Sequence, residues 1–133
     1  MSSTTSRNAN RPLSPHLSIY KPIPTMVASI MHRITGVALY SGTLLVAIWL
    51  VAAATGPGAF NAVDGIFSSW LGLLILFGYT WALMQHMLGG IRHFLWDATM
   101  LMDKQTATTL AYATFVGGAC LTLLIWLLAA IVR

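Results

Sequence analysis

One histidine, His86, lies deep inside a long apolar segment, where an ionisable side chain is costly and is a candidate for function. It precedes Asp97 by a helical rise of roughly 16 Å. A neutral imidazole held by a bundle helix can bind the iron of a b-type haem. Gly89 and Gly90 follow on the same side of the helix and leave room for a flat macrocycle or a close neighbouring helix. The alternative is a histidine that only hydrogen-bonds between two helices.

A haem held by two imidazoles needs the second one at similar depth on another helix. His93 lies two turns from His86 on the same helical face, roughly 10 Å away, and cannot reach the opposite side of the iron. His32 is predicted to lie about one turn shallower than His86, and His16 precedes the apolar segments altogether. If His86 binds haem, we therefore expect the opposing ligand to come from another subunit.

Near the inner ends of two apolar segments the sequence predicts a cationic layer, consisting of His32, Arg33, Arg92 and His93. Such a layer would neutralise the two propionates of a haem. Arginines that snorkel toward lipid headgroups are the alternative. Because two segments each present a histidine beside an arginine at matching depth, the propionate interpretation is favoured. Asp97 is expected to pair with Arg92, His93 or Lys104.

Ser29 and Arg33 are four residues apart and therefore share one face of a helix. Together they offer a hydroxyl group and a cation at the edge of the membrane. This pair could polarise a quinone carbonyl and stabilise the charge that develops during its reduction. A small serine at a helix contact is the alternative.

The elements that must position these residues are membrane spans. The composition is 57% hydrophobic and 8% charged, whereas soluble domains carry roughly 25% charged residues. Residues 34–63, 65–91 and 105–132 contain no Asp, Glu, Lys or Arg, and about 20 apolar residues suffice to cross a bilayer. Because the bilayer core contains no water, the backbone N–H and C=O groups of each segment must hydrogen-bond to one another, as they do in an α-helix. We predict an all-α integral membrane protein.

The predicted organisation is a polar segment, residues 1–25, followed by one anchor domain, residues 26–133. Its three spans are predicted at about 26–54, 65–96 and 106–132. Outside these spans too little chain remains for a soluble catalytic domain, so any substantial reaction must involve partner subunits. The net charge of +4 could suggest nucleic acid, but the cations lead into a span, so orientation in the membrane is the favoured interpretation and no nucleic-acid partner is expected.

The distribution of Lys and Arg predicts the orientation. Four lie before or at the start of the first span, none in the first loop, two around the second loop and one at the carboxyl end. The positive-inside rule then places the amino terminus and the second loop in the cytoplasm. The amino terminus lacks the pattern of a secretory signal. We expect the cytoplasmic (inner) membrane of a bacterium, with the mitochondrial inner membrane as the alternative.

Three blocks of sequence resemble a known family. They are Arg-Pro-Leu-Ser-Pro-His-Leu-Ser-Ile-Tyr at 11–20, Ser-Ile-Met-His-Arg-Ile-Thr-Gly at 29–36, and His-Met-Leu-Gly-Gly-Ile-Arg-His-Phe-Leu-Trp-Asp at 86–97. With three spans in a chain of this length, they resemble the larger membrane anchor, or cytochrome b subunit, of succinate dehydrogenase, respiratory complex II. The resemblance covers nearly the whole chain, and the second and third blocks together are highly specific. Phe94, where Leu or Met is usual, is a mild departure.

The resemblance implies a role for each matching position. His86 would be an axial ligand of haem b, Ser29 and Arg33 would help to form a site for ubiquinone or another quinone, and His32 with Arg92 or His93 would lie near the propionates. The second axial histidine would come from the smaller anchor subunit, so this chain is half of a haem-binding bundle. Electrons would arrive from an FAD-containing flavoprotein subunit through an iron-sulfur subunit. The chain would hold no succinate or flavin site of its own.

Overall fold

A computed structural model describes residue 16 and residues 19–132 of the chain. Within that part all regular secondary structure is helical, in four helices: α1 (Pro24–Thr55), α2 (Pro57–Phe67), α3 (Trp70–Asp97) and α4 (Lys104–Val132). Three of them, α1, α3 and α4, are long and apolar enough to cross a membrane. The predicted all-α membrane fold with three spans is therefore confirmed. Most of the predicted polar segment, 1–25, including Arg7 and Arg11, lies outside the described residues.

Helix α1 begins with Pro24 in its first turn, a position where a missing N–H is tolerated. It ends at Thr55, and the next residue, Gly56, has a φ of +136°, a conformation that favours glycine. Pro57 then starts α2 directly. The break at Gly56 and the helix start at Pro57 thus convert the predicted first loop into a separate short helix.

The second span begins later than predicted. Residues 65–67 belong to the end of α2, and α3 starts only at Trp70. The reason is a local cap, because the Ser69 side chain accepts a hydrogen bond from the Gly72 N–H at 3.1 Å. Gly72 also permits close packing here, since a Cβ at that position would lie 2.3 Å from the Ile66 carbonyl oxygen.

The loop between α3 and α4 is short and is closed by a second cap. The Thr106 N–H donates to the Asp103 carboxylate at 2.9 Å. Hydrogen bonds from Thr106 hold the pKa of Asp103 below its usual range. A carboxyl group with a lowered pKa contributes stability above its usual pKa and loses that contribution as the pH falls through the lowered value.

Small and polar side chains form the contacts between the spans. The buried positions include Ala28, Gly42 and Ala52 on α1, Ala82 and Gly89 on α3, and Ala111 and Gly118 on α4. Membrane helices pack closely through such residues because lipid provides no hydrophobic force that pushes helices together. The large apolar side chains point outward instead, as Tyr40 at 81% and Phe94 at 75% exposure illustrate. The outer surface of the bundle is therefore suited to lipid and to partner subunits.

Candidate functional site

The amino-terminal half of α1 and the carboxyl-terminal half of α3 bring the predicted histidines together. The Nδ1 atom of His86 lies 3.1 Å from the main-chain oxygen of His32 and 3.3 Å from the hydroxyl oxygen of Thr35. A carbonyl oxygen can only accept, so Nδ1 must carry the proton. The other ring nitrogen, Nε2, then has a free lone pair, and no described residue hydrogen-bonds to it.

Thr35 is buried, and its hydroxyl is already committed to its own helix. It donates to the carbonyl oxygens of Met31 at 2.9 Å and His32 at 3.0 Å. Since the single hydroxyl proton is directed at these carbonyls, the oxygen atom faces His86 as an acceptor. Two acceptors on α1 thus hold one imidazole of α3 in a single tautomer and orientation.

His32 lies directly against His86. The two rings are stacked, with centroids 4.0 Å apart and planes inclined by 13°. Stacked rings face each other, so the two imidazoles do not direct nitrogen atoms at one common metal. The predicted difference in depth of about one helical turn between His32 and His86 agrees with the residues beside each ring. The His86 ring lies beside Gly36, which is one turn farther along α1 than His32, and the His32 ring lies beside Gly89 of α3. The direct contact between the rings was not predicted.

The two glycines near His86 have different surroundings. A Cβ at Gly89 would lie 2.4 Å from the Cδ2 atom of His32, whereas a Cβ at Gly90 would meet nothing within 4 Å. Gly89 therefore provides the close approach of a neighbouring helix, one of the two roles predicted for this pair. Gly90 leaves open space beside the same turn.

The cationic layer extends from His32 through three further side chains. His93 contacts the His32 ring edge-on at 5.0 Å and the Trp96 ring at 5.5 Å, and the guanidinium of Arg92 lies 4.9 Å from the Trp96 ring centre. Arg92 is only 2% exposed, and all three of its guanidinium nitrogens are buried without a hydrogen-bond partner among the described residues. The same holds for the His32 Nε2 and Trp96 Nε1 atoms.

Most of these buried nitrogen atoms without a partner are of one chemical kind. Four of them, the three guanidinium nitrogens of Arg92 and the indole nitrogen of Trp96, can only donate hydrogen bonds. A buried cation without a partner is strongly unfavourable, so the complement expected at this place is an anion. The predicted ion pair of Asp97 with Arg92, His93 or Lys104 is wrong for the described residues, since Asp97 is exposed and makes no ion pair there.

Ser29 and Arg33 lie on the same face of α1, as predicted from their spacing. Ser29 is half-buried and Arg33 is exposed, and neither side chain makes a hydrogen bond within the described part of the chain. His32 follows Ser29 by three residues and is therefore its neighbour on the helix surface. Both groups are therefore free to bind a molecule beside the amino-terminal part of α1.

Two residues of the site were not predicted. Thr35 follows His32 by three residues, and a hydroxyl at that spacing is the signal that could have identified it. Gln85 immediately precedes His86, is 2% exposed and leaves its Oε1 atom without a partner. It packs against Gly118 of α4, where a Cβ would lie 2.7 Å from Oε1. A polar amide inside an apolar segment was the available signal.

Comparison with known families decides the family. A family model described as "Succinate dehydrogenase/Fumarate reductase transmembrane subunit" matches residues 7–125. The chain belongs to this family. The prediction made from the three sequence blocks is confirmed, and so is the prediction of a membrane subunit within an enzyme complex.

Relatives of this succinate dehydrogenase/fumarate reductase transmembrane subunit extend from bacteria to animals. The succinate dehydrogenase cytochrome b556 subunit of Paracoccus denitrificans is 46% identical over 115 residues, 86% of this chain and 88% of that protein. The subunit of the same name from Rickettsia prowazekii is 32% identical, covering 87% of this chain and 90% of its own length. The mitochondrial cytochrome b560 subunit of Sus scrofa is 40% identical over 67% of this chain and 54% of its own.

Proposed function

We propose that this chain is the cytochrome b subunit of a succinate:quinone oxidoreductase, and that His86 is an axial ligand of haem b. The observation that supports this most strongly is the arrangement of the His86 ring. Its Nδ1–H is bound by the His32 carbonyl and by Thr35, so that Nε2 presents its lone pair. Histidine ligands of metals commonly have this arrangement, because the hydrogen bond at the other nitrogen fixes the tautomer and raises the basicity of the ligand. When bound, the haem supplies one-electron redox chemistry.

The second axial ligand is proposed to come from the smaller anchor subunit. Within this chain His32 stacks face to face on His86, and His93 lies on the same helix as His86. Neither ring can oppose His86 across one iron in this arrangement. The names of the relatives, cytochrome b556 and b560 subunits of succinate dehydrogenase, support a haem shared inside such a complex.

The propionates of the haem are proposed to meet the cationic layer of His32, Arg33, Arg92 and His93. Arg92 contributes a buried cation that lacks an anion in the described chain, and His32 contributes an unpaired Nε2. A carboxylate in this layer would satisfy donors that are otherwise costly to bury. Arg33 is exposed and would contribute from the side of α1.

The quinone is proposed to bind beside Ser29 and Arg33. Both side chains are free of hydrogen bonds within the described residues and lie at the inner edge of α1. A hydroxyl donor and a guanidinium directed at a quinone carbonyl would stabilise the negative charge that develops on its oxygen. The quinone, which is ubiquinone or another quinone, would be reduced here with electrons from the iron-sulfur subunit, which takes them from the FAD-containing flavoprotein.

The chain is proposed to lie in the cytoplasmic membrane of a bacterium with its amino terminus in the cytoplasm. The distribution of Lys and Arg and the bacterial relatives support this location. The exposed apolar surface would be covered by lipid and by the second anchor subunit.

The test is a reduced-minus-oxidised absorption spectrum of the purified complex that contains this chain. We expect a b-type haem signal, with succinate as an effective reductant. A complex that oxidises succinate but shows no b-type signal would leave this chain as a structural anchor and reject the cytochrome assignment.

A further inference from the structure

The outer half of the bundle contains a cavity that the proposed function does not use. Its volume is about 450 Å³, within the range of about 300–1,000 Å³ that is usual for ligand sites. All four helices line it, and its walls are mostly apolar, with Trp49, Phe67, Tyr79 and Trp126 as the aromatic members. It lies on the side of the membrane opposite to the histidines.

The cavity extends along the helix axes. On α1 its lining runs from Gly42 to Trp49, a rise of about 10 Å, and on α3 from Leu73 to Tyr79, a rise of about 9 Å. These segments reach from the outer helix ends toward the middle of the bilayer. One leaflet of the hydrocarbon core is about 15 Å deep, so the lining covers roughly two-thirds of a leaflet, enough for part of a lipid chain.

The aromatic walls are held in place by contacts within the chain. The Tyr79 ring packs on Gly42, where a Cβ would lie 1.9 Å from the ring, and its hydroxyl is directed at the Leu39 carbonyl at 3.5 Å. The indole N–H of Trp126 donates to the Thr80 hydroxyl at 3.3 Å. Because these polar groups face protein partners, the walls offer apolar surface to a ligand.

Only the end of the cavity next to α2 is polar. Asp64 and Ser68 lie there, and the Ser68 hydroxyl donates to the Asp64 carboxylate at 3.4 Å. Among the described residues, Asp64 is the only charged one that lines the cavity. This end therefore offers negative charge and hydrogen-bond acceptors. An ammonium group complements it in charge and donates hydrogen bonds, whereas a quinone carbonyl can only accept and a phosphoglycerol headgroup is itself negatively charged.

We propose that this cavity binds one acyl chain of a phospholipid that carries a primary ammonium, such as phosphatidylethanolamine, with the ammonium at the Asp64 carboxylate. The apolar walls of the cavity contact the acyl chain, and the Asp64 carboxylate makes the site selective for the headgroup. This site is independent of haem and quinone binding, since it shares no residue with them.

The test uses the complete complex in detergent and measures its retained lipid by native mass spectrometry. The complex is supplied in turn with phosphatidylethanolamine, phosphatidylcholine or phosphatidylglycerol of identical chains. We expect phosphatidylethanolamine to be retained preferentially. Ala129→Leu, which adds a bulky side chain to the cavity wall, should reduce the retention of one lipid, whereas Ala130→Leu, at an exposed neighbour outside the lining, should preserve it.

Asp64→Asn tests the headgroup contact without changing the volume of the side chain. The variant should keep a lipid but lose roughly two- to fivefold of the preference for phosphatidylethanolamine, which is the size of effect expected of an exposed ion pair. Equal retention in Ala129→Leu and Ala130→Leu would overturn the site. Equal retention of the three lipids by the unmodified complex, or a quinone as the retained molecule, would overturn the assignment of the ligand.

Discussion

The imidazole rings of His32 and His86 lie in parallel contact, 4.0 Å apart between centroids, and each ring lies beside a glycine of the opposite helix. The His32 ring lies beside Gly89 and the His86 ring beside Gly36. The main-chain oxygen of His32 also accepts the hydrogen bond from His86 Nδ1. One residue of α1 therefore contacts the candidate ligand in two ways, through its ring and through its backbone, and these contacts can be separated by mutation.

His86→Ala and His32→Ala should differ in haem content. We expect His86→Ala to abolish the b-type signal of the purified complex, because the proposed ligand is removed. His32→Ala should retain most of the haem, since the carbonyl at position 32 remains available to His86. Pyridine haemochrome analysis of both complexes measures the difference. Loss of haem from His32→Ala with retention in His86→Ala would contradict the assignment.

Thr35→Val removes one acceptor from His86 while preserving the shape of the side chain. The hydrogen bond at Nδ1 makes the imidazole a stronger electron donor and favours oxidised iron, so its loss should raise the haem potential. A hydrogen bond contributes about 0.5–1.5 kcal/mol, and a tenfold change in equilibrium is about 59 mV for one electron. We expect a rise of roughly 20–60 mV in a redox titration.

Thr35→Ser provides the control for that experiment, because it keeps the hydroxyl. Its potential should remain close to that of the unmodified complex. A potential that shifts equally in Thr35→Val and Thr35→Ser would show that packing by the methyl group, and not the hydrogen bond, is responsible.

Gly89→Ala and Gly90→Ala are adjacent substitutions with opposite expectations. At position 89 the new methyl group would lie 2.4 Å from the His32 ring, and at position 90 it would meet nothing within 4 Å. Overpacking of a tight contact typically costs about 1–3 kcal/mol. Thermal unfolding followed by haem absorbance should therefore show a lower Tm for Gly89→Ala alone. Equal Tm values would mean that α1 and α3 separate at this level in the assembled complex.

Ser29→Ala should impair quinone reduction by about ten- to a hundredfold, which is at or below the usual effect of removing one positioned donor. Electron transfer from succinate to a soluble artificial acceptor should be unchanged. Ser41→Ala is the matched control, since Ser41 lies on the same helix about 18 Å farther outward. If the two variants reduce quinone equally well, Ser29 has no part in the quinone site.

Arg92→Met tests whether the buried guanidinium meets a propionate. Removal of a positive charge near the haem disfavours the reduced state, so the potential should fall by tens of millivolts, and haem should be lost more readily on dilution. Lys104→Met removes an exposed cation on the same side of the membrane and should change neither quantity. A more firmly bound haem in Arg92→Met would show that no anion pairs with Arg92 in the complex.

The sequence was sufficient for the three spans, but not for every helix boundary or for the contacts between the helices. Uninterrupted apolar segments predicted α1 and α4 to within a few residues, because the bilayer leaves a helix as the only solution. Helix α2 was missed because it is as apolar as the spans around it, and the break at Ser69 carries no proline or glycine. The stacking of His32 on His86 depends on the rotation of two helices about their axes, which residue spacing within one helix does not define.

The hydrogen bond from His86 to a main-chain oxygen has an evolutionary consequence. Every amino acid at position 32 carries that oxygen, so ordinary substitutions there cannot delete it as long as α1 keeps its path. The Thr35 hydroxyl, in contrast, can be lost by a single codon change. Relatives with a different residue at position 35 should therefore differ in the potential of the proposed haem but should still bind it.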